Sequence, residues 1–204
     1  MDILRTGVFT ATYHQGFIRH ISYGETEIIR MIYFALRDHN WGTIPYRITG
    51  EQVHVGENFF TVRYSCHHFQ EGKDIIVWDC EITGNERGEV GFSIAGAVLE
   101  NFRRNRAGFC VLHPVTDTVG APVEIIHPDG KKTGGLFPIN IDPVNPFRSI
   151  RSLRWKVDGQ WYRIDMAGDV FETEDQRNWG DASFKTFCTP SDEPFPVRLN
   201  TGDQ

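Results

Sequence analysis

Apolar and polar residues alternate with a period of two along most of the chain, the pattern of strands that bury one face. Phe60, Val62, Tyr64 and Cys66 share one face; Ile76, Trp78, Cys80 and Ile82 share another; Phe92, Ile94 and Val98 follow, with small Gly96 between them. The breaks carry turn chemistry: "EGKD" at 71–74, "TGNERGE" at 83–89, "HPDGKKTGG" at 127–135 and "DG" at 158–159. Around Asp158-Gly159, "SIRSLRWKV" and "QWYRIDM" predict a hairpin whose second strand turns Tyr162, Ile164 and Met166 inward. The segment "TEIIRMIYFALRD" at 26–38 is continuously apolar and β-branched, and is read as a strand. About a dozen strands with few or no helices predict an all-β fold, a large antiparallel two-sheet β-sandwich.

At 204 residues and 40% apolar composition, the chain is long enough to bury a core and reads as one domain, 1–204. A net charge of −6 argues against a nucleic-acid partner, which calls for a basic face. The main basic cluster, "FRRNR" at 102–106, reads as an exposed turn or local ion pairs, with Arg104 and Arg106 as candidate holders of an anionic ligand. No apolar run approaches membrane-spanning length and no secretory leader is evident, so the expectation is a cytoplasmic protein with no membrane partner. Cys66, Cys80, Cys110 and Cys188 have no zinc-type spacing, and His67 and His68 face opposite ways on a strand; no metal and no cofactor are expected.

Charge and polarity are densest in "FETEDQRNWGDASFKTF" at 171–187. If 168–175 pairs with 182–188, alternation puts Glu172 and Glu174 on one face and Asp175 on the other. In the register chosen, Glu172 lies across from Lys185 and Glu174 across from Ser183. One reading is a structural ion pair and hydrogen bond. The other is catalytic: opening a sugar ring or lactone needs one group that moves a proton and another that stabilises charge on oxygen. Glu172 or Glu174 would be the base, and Arg177 or Lys185 the oxyanion partner. Two neighbouring carboxylates would repel, separating an acid from an ionised partner. Trp41, Asn178 and Trp179 are candidate substrate contacts, although a tryptophan is as readily a core residue or loop anchor. His113, ending the strand "FCVLHP", is a candidate general base, set against the reading as a hydrogen-bonded structural histidine. His127, in "IIHPDG", reads as a turn residue.

Several stretches together carry a family resemblance: "IYFALRDHNWGTIPYRI" at 32–48, "NFRRNRAGFCVLHP" at 101–114, "HPDG" at 127–130, "GDVFETEDQRNWGDASFKTF" at 168–187, and the ending "CTPSDEPFPVRLNTG". In this order they resemble the N-terminal region of D-apionate lactonases. The resemblance implies a bacterial enzyme of apiose catabolism that hydrolyses D-apionolactone to D-apionate. It also implies a β-sandwich that packs against downstream domains, a barrel and a further β domain, in a longer chain. Gly180 stands where the family word has Thr, which makes the loop more flexible. The site residues named above come from this sequence and not from the family.

Three readings follow. The first is a lactonase, or its N-terminal domain, with a small sugar or sugar-acid lactone as partner. The second is a non-catalytic carbohydrate-binding or bracing module. The third rests on the similarity of large two-sheet sandwiches to galactose-mutarotase-like domains: a sugar epimerase, which requires His113 and a glutamate to face each other across one concave sheet.

Overall fold

The computed structural model describes residues 2–204, and these are nearly all β with antiparallel pairing throughout. The sequence reads as one domain; the contact pattern resolves two compact units, each assembled from separated pieces of chain. The first comprises residues up to Gly24, Ala35–Ala107 and Pro194–Gln204; the second comprises Glu25–Phe34 and Gly108–Glu193.

The first unit contains β1 (Asp2–Thr6), β2 (Phe9–His14) and β3 (Phe17–Tyr23), a meander in that order, and part of β4 (Thr26–Asp38). It also contains β5 (Tyr46–Val55), β6 (Phe60–Gln70), β7 (Lys73–Gly84) and β8 (Val90–Val98), which form a second sheet in sequence order. The predicted alternation holds there, with Phe60, Val62, Tyr64, Cys66, Ile76, Cys80 and Ile82 buried. They meet Leu4, Ala11, Tyr13 and Ile18 of the meander: the Tyr13 and Tyr64 rings lie 6.3 Å apart, and the Tyr64 hydroxyl donates to the Gly16 carbonyl at 2.9 Å. Each such aromatic or aliphatic side chain contributes about 1.5–3 kcal/mol by leaving water. Gly96 pairs with Trp78, and an added Cβ would sit 2.3 Å from both the indole and the Val77 carbonyl oxygen, so glycine is what lets β7 and β8 pair here.

The second unit takes the C-terminal part of β9 (Phe102–Pro114), followed by one short helix, α1 (Val115–Thr118). Its strands are β10 (Pro122–Ile126), β11 (Lys132–Leu136), β12 (Phe147–Ile150), β13 (Ser152–Val157), β14 (Gln160–Asp165), β15 (Phe171–Asp175) and β16 (Ser183–Phe187). One sheet runs β11-β10-β13-β14; the other ladder runs β9-β16-β15-β12. The predicted β13–β14 hairpin is present, and its Asp158 (φ 48°) and Gly159 (φ 79°) both take the left-handed conformation that a tight hairpin turn demands. Between the two layers sit Phe137, Phe147, Trp155, Phe171 and Phe184, with the Phe137 ring 5.0 Å from those of Phe147 and Phe184. The last strand, β17 (Val197–Leu199), belongs to the first unit and pairs with β9 at Arg104, Arg103 and Phe102.

Candidate functional site

The polar word lies wholly in the second unit, on β15, a 3-10 turn at Gln176–Trp179, and β16. Strand alternation sends Phe171, Thr173 and Asp175 to the inner face with Phe184 and Thr186, and Glu172 and Glu174 to the outer face with Lys185 and Phe187. The assignment of faces matches the sequence reading, but the register does not. Glu174 pairs with Lys185, and Glu172 with Phe187, two residues away from the predicted alignment. The 3-10 turn, closed by Gly180 in the left-handed conformation (φ 78°), moves the middle of the loop one residue onward.

Arg177 is not available to an oxyanion. Its Nε and Nη2 donate to Asp175 Oδ1 (2.8 Å) and Oδ2 (2.7 Å), Nη1 donates to the Ile139 carbonyl (3.0 Å), and Nη2 also reaches those of Pro138 (2.9 Å) and Asn140 (3.1 Å). The guanidinium also lies over the Phe184 ring, 4.9 Å from its centroid. Asp175 caps the 3-10 turn by accepting from the Arg177 amide (3.1 Å), and it accepts from the Asp142 amide (3.0 Å). Burial works to raise the Asp175 pKa; its hydrogen bonds from the Arg177 side chain and the two amides outweigh that and hold it below the usual carboxylate value. The Asp175 hydrogen bond in turn raises Arg177. Asn178 donates from Nδ2 to the Asp142 carbonyl (2.5 Å) and to that of Asp175 (3.0 Å). Together Asp175, Arg177 and Asn178 tie the 138–142 segment to the 3-10 turn, while Trp179 projects into solvent, 78% exposed.

On the outer face, Lys185 forms an ion pair with Glu174, which also accepts from Gln176 Nε2 at 2.7 Å. The Lys185 ammonium lies 5.2 Å from the Phe187 ring centroid. Glu172 is buried and accepts from the Ser191 amide (2.7 Å) and hydroxyl, so it fastens the chain just after β16. Of the predicted cluster, the structure therefore brings Glu174 and Lys185 into direct contact.

His113 does not join them. It pairs with Phe184, which puts it on the inner face of the β9-β16-β15 ladder, opposite to Glu172 and Glu174. Its side chain is fully buried, with Nε2 2.9 Å from the Thr186 hydroxyl, which in turn lies 2.8 Å from that of Thr173. The Trp155 and Phe137 rings lie 5.0 and 5.7 Å away, and burial lowers the imidazole pKa to about 3. The reading of His113 as a hydrogen-bonded structural histidine fits this geometry, and the strand end is interior because Phe137 and Trp155, distant in sequence, cover it. The same disposition keeps His113 from facing Glu172 or Glu174, the pairing through which these residues could have served the epimerase reading.

Trp41, Arg104 and Arg106 fall in the first unit. Arg106 lies over the Trp41 ring (5.6 Å), which meets the Phe195 ring edge-on at 5.3 Å; Arg104 pairs with Val197. His127 hydrogen-bonds through both ring nitrogens, to the Ser149 carbonyl and the Thr133 hydroxyl at 2.8 Å each, on the wall of an open cleft of about 550 Å³. All four cysteines are free and buried, and burial pushes the thiols of Cys66 and Cys80 up to about 12 and 11. Among the described residues, no three His, Cys, Asp or Glu side chains are gathered to hold a metal ion, and no helix is long and apolar enough to cross a membrane.

Two structural devices escaped the sequence reading. The Asp175–Arg177 clamp has a local signal, an Asp two residues before an Arg at the start of a turn, where Asp is a favoured cap. The Thr173–Thr186–His113 chain has none, because its members come from three strands.

A family model described as "D-apionate lactonase, N-terminal domain" matches residues 1–204. A curated relative, the D-apionate lactonase of Brucella anthropi, is 33% identical over 199 residues, which cover 96% of this chain. The chain spans about a third (32%) of that relative's length. With this match running the length of the two units, the chain belongs to the D-apionate lactonase N-terminal domain family.

Proposed function

We propose that this chain acts as the N-terminal domain of a sugar-acid lactone hydrolase, with D-apionolactone as substrate and D-apionate as product, and that it braces the enzyme and does not carry its chemistry. The observation that supports a bracing role is the use made of the polar word. Arg177 is engaged by one carboxylate and three carbonyls, Glu172 accepts through Oε1 from Ser191, and His113 is enclosed beside Trp155. A water-activating base and an oxyanion donor must instead point at a common point in a cleft.

A second reading is local catalysis, favoured by one observation: Glu174 and Lys185 meet on the outer face with about a fifth and an eighth of their side chains exposed. There, Glu174 would take a proton from the attacking water as it adds to the lactone carbonyl, and Lys185 would hold the developing oxyanion. The ring C–O bond then breaks, and the proton passes to the leaving alkoxide. In this reading the sugar contacts would come from the neighbouring Trp179.

Release of acid from D-apionolactone and related sugar lactones decides between them, measured for residues 1–204 and for the longest natural polypeptide that carries them. Turnover in the longer form alone supports the bracing role. Turnover by residues 1–204 alone overturns it and assigns the chemistry here.

A further inference from the structure

Leu136, Ile139, Ile141, Val144 and Trp179 are 56%, 68%, 54%, 59% and 78% exposed, an unusual set for two short neighbouring segments of one unit. A flexible loop could fold such side chains inward; this one is prevented from doing so. Phe137 is anchored in the core, Arg177 grips the carbonyls of residues 138, 139 and 140, and Asp175 and Asn178 hold the amide and carbonyl of Asp142. Asp142 Oδ1 then accepts from the Val144 amide at 2.9 Å. The buried polar clamp leaves the apolar side chains of the segment facing solvent in a fixed arrangement. Trp41, another exposed tryptophan, is by contrast already contacted by Arg106 and Phe195.

From this we infer that the Ile139–Ile141–Val144–Trp179 surface is a preformed docking face for the remainder of a chain of the lactonase's length. The inference rests on the bracing role proposed above. The occupant follows from the proportions: two thirds of the Brucella anthropi relative lies outside the region this chain matches, enough for at least one further folded domain. An exposed apolar patch marks a surface on which such a domain can sit, and a seat held rigid before contact loses little conformational entropy on docking.

Hydroxyl-radical footprinting read by mass spectrometry tests this on residues 1–204 and on the longest natural polypeptide that carries them. Labelling of Ile139, Ile141, Val144 and Trp179 should be slower in the longer form by roughly fivefold or more, as for side chains moved from solvent into an interface core. Exposed Ile3 and Val55, in the other unit, serve as reference sites. The double variant I141S/W179S should restore labelling of Ile139 and Val144 in the longer form, while leaving the thermal stability of residues 1–204 unchanged. Equal labelling in the two forms overturns the inference, as does protection that appears in residues 1–204 alone on raising their concentration, which would assign the face to a second copy. Lactone hydrolysis is measured on the same samples. Hydrolysis by the longer form without protection sinks the docking face and leaves the proposed function standing; protection without hydrolysis does the reverse.

Discussion

Acidification isolates the contribution of His113. In the unfolded chain its imidazole titrates near 6.5, and in the fold burial lowers that to about 3. Between these values the unfolded chain binds a proton that the native chain refuses, so stability is complete above the unfolded value and falls as the pH falls. Each pH unit in that window is worth about 1.4 kcal/mol, which amounts to a loss of about 2 kcal/mol between about pH 8 and about pH 5 from this residue alone. The assay is urea denaturation at the two pH values, for the wild type and for His113→Gln, whose amide can still reach Thr186. The variant loses some stability at both pH values, and the informative quantity is the difference between them. The carboxylates and His68, whose pKa burial lowers to about 4, are common to both proteins and cancel in it. The pH-dependent loss should be smaller in His113→Gln by about 2 kcal/mol. Equal losses in the two proteins would refute the reasoning, as would an imidazole NMR resonance of native His113 that titrates above pH 5.

Two further perturbations address the polar word. Asp175→Asn leaves the Arg177 guanidinium without its carboxylate and should destabilise the chain by about 3–5 kcal/mol, read by urea unfolding, with faster amide exchange at Asp142 and Val144; unchanged exchange there would show that the clamp does not hold the segment. For Glu174 and Lys185, a double-mutant cycle of Glu174→Gln and Lys185→Met should give a coupling of about 0.2–1 kcal/mol with undiminished lactone turnover in the longer polypeptide, whereas a collapse of turnover at unchanged stability would make the pair catalytic.

The strands were legible because burial of one sheet face writes itself into every second residue, as at Phe60, Val62 and Tyr64, and because Asp158-Gly159 is chemically committed to its turn. The faces of Glu172 and Glu174 survived an error in register because the error was two residues, which preserves parity. Register itself depended on the 3-10 turn at Gln176–Trp179, whose polar residues resemble those of any loop. The hydrogen-bonded structural reading of His113 matches its contact with Thr186, but its enclosure was not legible. A histidine before a proline marks the end of a strand, but whether that end meets solvent depends on Phe137 and Trp155, which arrive from other strands. The same holds for Arg177, whose three carbonyl partners lie nearly forty residues earlier. Charge density marked a segment rich in polar contacts, and only tertiary geometry revealed that its charges are engaged with Ser191, with the 138–142 segment and with one another.

The path of the chain has a consequence for taking this protein apart. It passes from one compact unit to the other at residues 24/25, 34/35, 107/108 and 193/194, and two of those crossings fall inside β4 and β9, between residues that are both in strand. No single cut therefore yields either unit as a contiguous fragment, and a deletion series from either end would disrupt one unit before it liberated the other. A gene fusion or permutation that preserves both units must place its new ends in exposed turns such as Glu71-Gly72 or Asp129-Gly130, away from the strands that both units share.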